Sequence, residues 1–189
     1  GSMASSGMLI ERMSSFNVGG VLEGTDPELK DEYMIVTAHF DHVGVGKQGG
    51  GAFTEQDSIF NGARDNAFGT ISLLASARAF AERPTRRPVI ILAVTGEEMG
   101  LLGSQWYAEN PLIPLEKTIF NFNTDGAGYD DITGISLIGA NRTGIDPQVE
   151  AAASAFGKKV ISDPAPEQGL FDRSDNVSFA AKGVPALSF

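Results

Sequence analysis

The 189-residue chain has no cysteine and two histidines. Without cysteine there are no disulfides and no thiolate metal sites, so any zinc here must be held by His, Asp and Glu. Basic residues are also in deficit: 14 Lys and Arg against 24 Asp and Glu leave a formal net charge of −10. Nucleic acid and anionic membrane surfaces call for a basic face, so neither is an expected partner. No apolar run reaches the ~18 residues of a membrane-spanning helix, and no signal peptide is visible. The opening Gly1-Ser2-Met3 reads as a cloning scar, so residues 1–8 are set aside as tag sequence. Residues 9–189 are long enough for one domain, and the chain's hydrophobic content of 42% gives that domain a sizeable core.

The segments alternate between β and α character. FNVGGVLEG and YMIVTAH are strand-like runs separated by TDPELKDE, whose Asp26-Pro27 marks a turn, and together they predict a hairpin. The glycine-rich stretch after His42 predicts an irregular surface segment, with Gly46 to Gly51 bordering any pocket. NAFGTISLLASARAFAERP predicts a helix ending at Pro84, its core stripe formed by Ile71, Leu74, Ala75 and Ala81 and widened by Leu73, Ala77 and Phe80. RPVIILAVT is a continuous β-branched run, as in a parallel strand covered on both faces. GLLGSQWYAEN reads as a helix, and TIFNFNTD, ITGISLIG and VPALSF read as strands. DPQVEAAASAFG reads as a helix with Asp146 capping and Pro147 at its first position. The alternation predicts an α/β fold, a three-layer sandwich with a mostly parallel mixed sheet flanked by helices.

Polar residues cluster where those strands end. His39 and Asp41 follow MIVTA, Glu97 and Glu98 follow VIILAVTG, Asp125 follows IFNFNT, and Asp65 stands just before the helix beginning near Asn66. Ligands of open α/β sheets bind outside the carboxyl ends of the strands. Each feature alone admits a structural reading. His39 and Asp41 can be a hydrogen-bonded surface pair, the paired glutamates can answer a helix dipole, Asp65-Asn66 can cap a helix, and Asp125 can be a turn residue. Their conjunction at one sheet edge gathers several carboxylates whose repulsion must be offset by cations, and a divalent metal site is the simplest remedy.

HFDHVG, NGARDNAFG, TGEEMGLLGS, NFNTD and FDRSDNVSFAAKGVPALSF occur in the order and spacing of the co-catalytic zinc aminopeptidase family, whose relatives include glutamate carboxypeptidases and glutaminyl cyclases. The resemblance covers about Phe16 to Phe189. It implies that His39 and Asp125 bind one zinc, that Glu98 binds the other and that Asp65 bridges both. It implies further that Asp41 holds the imidazole of His39 and that Glu97 is the general base. The implied activity is hydrolysis of N-terminal residues from peptide substrates by a zinc-activated water. A glutaminyl-cyclase-like acyltransferase, a carboxypeptidase and a catalytically silent module stay open as alternatives. The resemblance also implies that the parent protein is exported, to the periplasm or beyond the cell.

The chain departs from that family at Asn176, where relatives usually carry histidine, and at Arg64, where they often carry a small or apolar residue. Relatives also draw a histidine ligand of the second zinc from beyond the strand that corresponds to PALSF, whereas this sequence stops at Phe189. Residues 9–189 are therefore expected to be a catalytic domain lacking its C-terminal end, impaired in turnover and binding at most one zinc tightly. The same reasoning expects exposed apolar surface at VPALSF that favours self-association. His42 is read as a loop residue hydrogen-bonded to its neighbours, because its position offers no specific reason to face a metal.

Overall fold

A computed structural model describes residues 14–46, 54–126 and 131–189. The set-aside residues 1–8 and most of the glycine-rich segment, 47–53, lie outside the described residues.

The β-branched run after Pro88 forms β3 (Val89–Val94), flanked in the sheet by β1 (Val18–Leu22) and β2 (Tyr33–His39). With β4 (Thr118–Asn123) and β7 (Ala186–Ser188) these make a five-stranded sheet in the order β1-β3-β2-β4-β7. β2, β3, β4 and β7 run parallel, and β1 alone is antiparallel. The expected hairpin does not form, because β3 lies between β1 and β2. The link between the two strands crosses the entry to β3, where Thr25 and Asp26 donate their amides to the carbonyls of Thr85 and Arg86. Arg86 also grips the Asp26 carboxylate at 2.6 Å and holds its pKa below the usual range. The Asp-Pro signal marks a turn but not the strand that fills the gap beside it. The most apolar strand takes that interior place, where both of its faces are covered.

Helices lie on both faces of the sheet. On one, α2 (Leu102–Glu109) and α4 (Asn176–Ala180) send Tyr107 and Phe179 against Ile35, Ile90, Leu92 and Val94. On the other, Val149 of α3 (Asp146–Ala155) packs with Phe120, Leu137 and Leu187. These helix layers on either side of a mostly parallel sheet are the predicted sandwich.

α1 (Gly69–Glu82) packs on β2 and β3, but its predicted core stripe is rotated. Leu73 is buried with Ala77 and Phe80 half-buried beside it, whereas Ile71, Leu74, Ala75 and Ala81 are exposed. The rotation is set at the helix start, where the Thr70 hydroxyl donates to the main-chain oxygen of His39 at 3.0 Å. Thr70, Leu73 and Ala77 share the face that this bond turns inward.

Asp146 is a helical residue of α3 rather than its cap, and its carboxylate accepts the Asn141 amide at 2.7 Å. A strand absent from the sequence reading, β6 (Lys159–Ser162), pairs in parallel with β5 (Gly134–Leu137) as a separate two-stranded sheet. The side chains of VPALSF are not the exposed surface expected: Val184, Ala186 and Leu187 are buried, and Phe189 stacks on Phe122. The layers of α4 and β4 cover them. Among the described residues no helix is long and apolar enough to cross a membrane.

Candidate metal centre

Parallel pairing of β2 with β3 and β4 brings three strand ends to one edge of the sheet. His39 is the last residue of β2 and is fully buried. Its Nδ1 donates to the main-chain oxygen of Asp41 at 3.1 Å, while the Asp41 carboxylate lies farther off at 3.7 Å. The imidazole is thus held by the Asp41 backbone, and the carboxylate instead accepts the Glu97 amide at 3.3 Å.

With its proton on Nδ1, His39 turns Nε2 toward the acids. Nε2 lies 3.1 Å from Asp125 Oδ1, 3.1 Å from Asp65 Oδ1 and 4.0 Å from Glu97 Oε2. Burial opposes a charge on this ring, yet the surrounding carboxylates of Asp125, Asp41 and Asp65 outweigh it and hold the imidazole protonated far above its ordinary pKa. One proton on Nε2 cannot serve three carboxylates at once, whereas a divalent cation in that position can.

Asp65 precedes α1 in an irregular turn, and the Asp65–Asn66 peptide is cis. The buried Asn66 side chain secures that turn by accepting the Gly69 amide at 3.0 Å and donating to the Thr124 carbonyl at 2.9 Å. It therefore ties the segment carrying Asp65 to the one carrying Asp125. Gly69 makes this clamp possible, since a Cβ there would lie 2.2 Å from Asn66 Oδ1 and 2.5 Å from Thr124 O.

Glu97 and Glu98 occupy the turn between β3 and α2, closed by Gly100 and Leu101 amides on the Glu97 carbonyl. Their side chains diverge, Glu97 toward His39 and Glu98 to 2.6 Å from His42 Nδ1. Burial, with Asp125, Asp175 and Glu98 nearby, raises the Glu97 pKa to about 8 despite the opposing charge of His39.

Among the described residues two groups have ligand atoms mutually within 4.8 Å: His39, Glu97 and Asp125, and His42, Asp65 and Glu98. Asp65 Oδ1, 3.1 Å from His39 Nε2, stands between them. His42 therefore does not behave as the expected loop residue hydrogen-bonded to its neighbours. Its Nδ1, Asp65 Oδ1 and Glu98 Oε1 are all buried without hydrogen-bonding geometry to any partner. Three atoms of zinc-binding type gathered in one place, in contact with one another and with His39 but in no hydrogen bond of good geometry, fit a cation.

Two supporting residues, Ser174 and Asp175, escaped the sequence reading. The Ser174 hydroxyl donates to Asp125 Oδ2 at 2.5 Å and accepts from Asn123 Nδ2 at 2.7 Å. Fully buried Asp175 follows it, its pKa raised to about 6 by desolvation. Ser174 lies 49 residues beyond Asp125, and no spacing rule marks so distant a donor. Asn176, named above as a departure from the family resemblance, donates to the Phe171 carbonyl at 3.0 Å and anchors the turn before α4.

Comparison with known proteins places this geometry in context. The pattern of peptidase family M28 matches residues 17–189. A vacuolar membrane protease of Saccharomyces cerevisiae is 32% identical over 114 residues, covering 60% of this chain and 10% of its own length. The chain thus spans about a tenth of the curated relatives it matches. A zinc aminopeptidase from Bacillus subtilis superposes with a TM-score of 0.65 at 24% identity, over 92% of this chain and 39% of that one. A glutaminyl cyclase from Bacteroides thetaiotaomicron superposes with a TM-score of 0.68 at 16% identity, over 92% of this chain and 63% of that one.

Proposed function

The chain belongs to peptidase family M28, and from that premise we propose that it forms the zinc-binding core of an exopeptidase that removes N-terminal residues from peptides. The observation that carries the reading is the convergence of His39, Asp65, Glu97, Glu98 and Asp125 at adjoining strand ends, with ligand atoms close enough together to share a cation.

In this reading His39 and Asp125 would hold one ion, Glu98 would serve a second, and Asp65 would lie within reach of both. A bound zinc supplies an activated water near neutral pH and polarises the scissile carbonyl. Glu97 would take up a proton at its carboxylate and pass it to the leaving amine. Two features suit Glu97 to this task. Its turn is fixed by the Asp41 carboxylate on its amide, and burial moves its basicity toward neutrality. Ser174 orients Asp125 by donating to the oxygen that faces away from His39. The substrate class is peptides, and the yeast relative named as a vacuolar membrane protease supports a non-cytosolic parent.

The test is zinc content by atomic absorption together with turnover of an aminoacyl anilide, a glutaminyl peptide and a peptide with a free acidic C-terminus. The aminopeptidase reading expects anilide cleavage, abolished in Glu97→Gln at unchanged zinc content. Cyclisation of the glutaminyl peptide or release of the C-terminal residue instead would reassign the reaction. Bound zinc with no turnover of any substrate would make the chain a silent module.

A further inference from the structure

We propose that Thr37 and Asn123 are positioning residues for Asp125, linked in a one-way chain of buried hydrogen bonds that fixes how Ser174 presents its hydroxyl to that acid. The proposal rests on the metallopeptidase reading and deepens it. β4 reads TIFNFN, and both of its asparagines are fully buried, as is Thr37 on the neighbouring strand. An uncharged polar side chain is costly to bury unless its hydrogen bonds are made. Each of the three therefore needs a polar partner inside the fold.

Strand pairing supplies the partners. The register sets Thr37 opposite Asn123, and Asn123 opposite Ser188 of β7. Asn121 Nδ2 donates to Thr37 Oγ1 at 3.0 Å, and the Thr37 hydroxyl donates to Asn123 Oδ1 at 2.8 Å. Asn123 Nδ2 donates in turn to Ser174 Oγ at 2.7 Å and to Ser188 Oγ at 3.1 Å. Ser174 then donates to Asp125 Oδ2 at 2.5 Å.

The direction of every link follows from the last acceptor. An ionised carboxylate only accepts, so Ser174 must give its proton to Asp125 and must itself accept from Asn123. The Asn123 amide therefore turns its NH₂ toward Ser174 and its oxygen toward Thr37, which has to donate, and Thr37 is left with lone pairs for Asn121. Asn121 acts as a donor alone, its Oδ1 making no hydrogen bond among the described residues. Buried hydrogen bonds aligned head to tail polarise one another, so each link upstream strengthens the Ser174 bond to Asp125. Loss of the Thr37 hydroxyl strips Asn123 Oδ1 of its donor. An amide turned over in response would offer that oxygen to the Ser174 proton, in competition with Asp125. Ser188 takes the other proton of the same amide and lies off the path to Asp125.

Thr37→Val keeps the shape of the side chain and removes its hydroxyl. It should weaken zinc by roughly tenfold in competition against a chromophoric chelator, the lower end of the cost of an outer partner. In a Ser174→Ala background the same change should cost no more than about twofold, because the chain no longer reaches Asp125. Ser188→Ala should lower the thermal midpoint of the metal-free protein as Thr37→Val does, yet leave zinc affinity within about twofold. Thr37→Ser, which restores the hydroxyl, should recover the affinity. Wild-type affinity in Thr37→Val, equal losses from it in both backgrounds, or an equal loss from Ser188→Ala would each overturn the proposal and leave the metallopeptidase reading intact. A wild-type protein that binds no zinc would overturn the reading and this role together. The direction of the chain is also checked in wild-type, metal-free protein by proton NMR, where the Asn123 side-chain amide protons should show cross-relaxation to Ser174 and Ser188 and not to Thr37. The reverse pattern would overturn the proposal, so misfolding of Thr37→Val leaves it refutable.

Discussion

Ser174→Ala removes a single oxygen, and its consequences can be worked from three distances. The Ser174 hydroxyl donates to Asp125 Oδ2 at 2.5 Å, and Asp125 Oδ1 lies 3.1 Å from His39 Nε2. A hydrogen bond to a charged group is worth about 1.5–3 kcal/mol. At ~1.4 kcal/mol per tenfold, its loss should weaken zinc at the His39–Asp125 site by about 10–100-fold, the range usual for an outer partner of a ligand. The fold should suffer less. Asn123 Nδ2 loses Ser174 but keeps Ser188 Oγ at 3.1 Å, so no buried donor is orphaned. A net loss of about 1 kcal/mol would lower the melting temperature of the metal-free protein by ~2–4 °C. Competition against a chromophoric chelator measures the affinity, and thermal circular dichroism measures the fold. Ser174→Thr, which keeps the hydroxyl, should recover most of the affinity. Zinc affinity within twofold of wild type in Ser174→Ala would refute the argument that this hydroxyl orients Asp125.

Asp65→Asn, which removes charge from the acid standing between the two groups, should weaken both zinc equivalents in a calorimetric titration. Retention of both at wild-type affinity would exclude the bridging role. Asp41→Asn should cost less than about tenfold in zinc affinity by chelator competition, because His39 bonds the Asp41 main-chain oxygen at 3.1 Å and not the carboxylate at 3.7 Å. A larger loss would return that role to the carboxylate. Asp175 gives a pH signature in metal-free protein. Its folded pKa of about 6 lies above the ordinary 3.8, so its proton is favoured by folding and its stabilising effect fades as pH rises across that window. Asp175→Asn should therefore be increasingly more stable than wild type from pH 4 to pH 6, by up to on the order of 3 kcal/mol, and level above that in urea titrations. A stability difference independent of pH would refute the burial argument.

The sequence made the chemistry legible wherever residue type and element ends coincide. His39, Glu97, Glu98 and Asp125 each follow an apolar run long enough to be a strand, and parallel strands must bring their carboxyl ends to one edge. That placement follows from periodicity and from hydrophobic burial, and both are properties of short windows. The layers of the fold were legible for the same reason.

Other features depend on partners far along the chain. The order that sets β3 between β1 and β2 rests on which strand gains most from a central position, a comparison among strands that no single window contains. The rotation of α1 hangs on the Thr70 bond to the His39 carbonyl, 31 residues away, so the helix buried Leu73 and exposed Ile71 and Leu74. β6 is a four-residue strand with exposed polar ends, Lys159 and Ser162, paired with β5. The site divides in the same way. The sequence determined that the two histidines and the acids would lie near strand ends, because local pattern decides where a strand stops. Only the tertiary structure decided that the His42 ring would pack over Gly62 to meet Glu98 and that Ser174 would reach Asp125, because side-chain direction is fixed by contacts between segments that meet only when the sheet has closed.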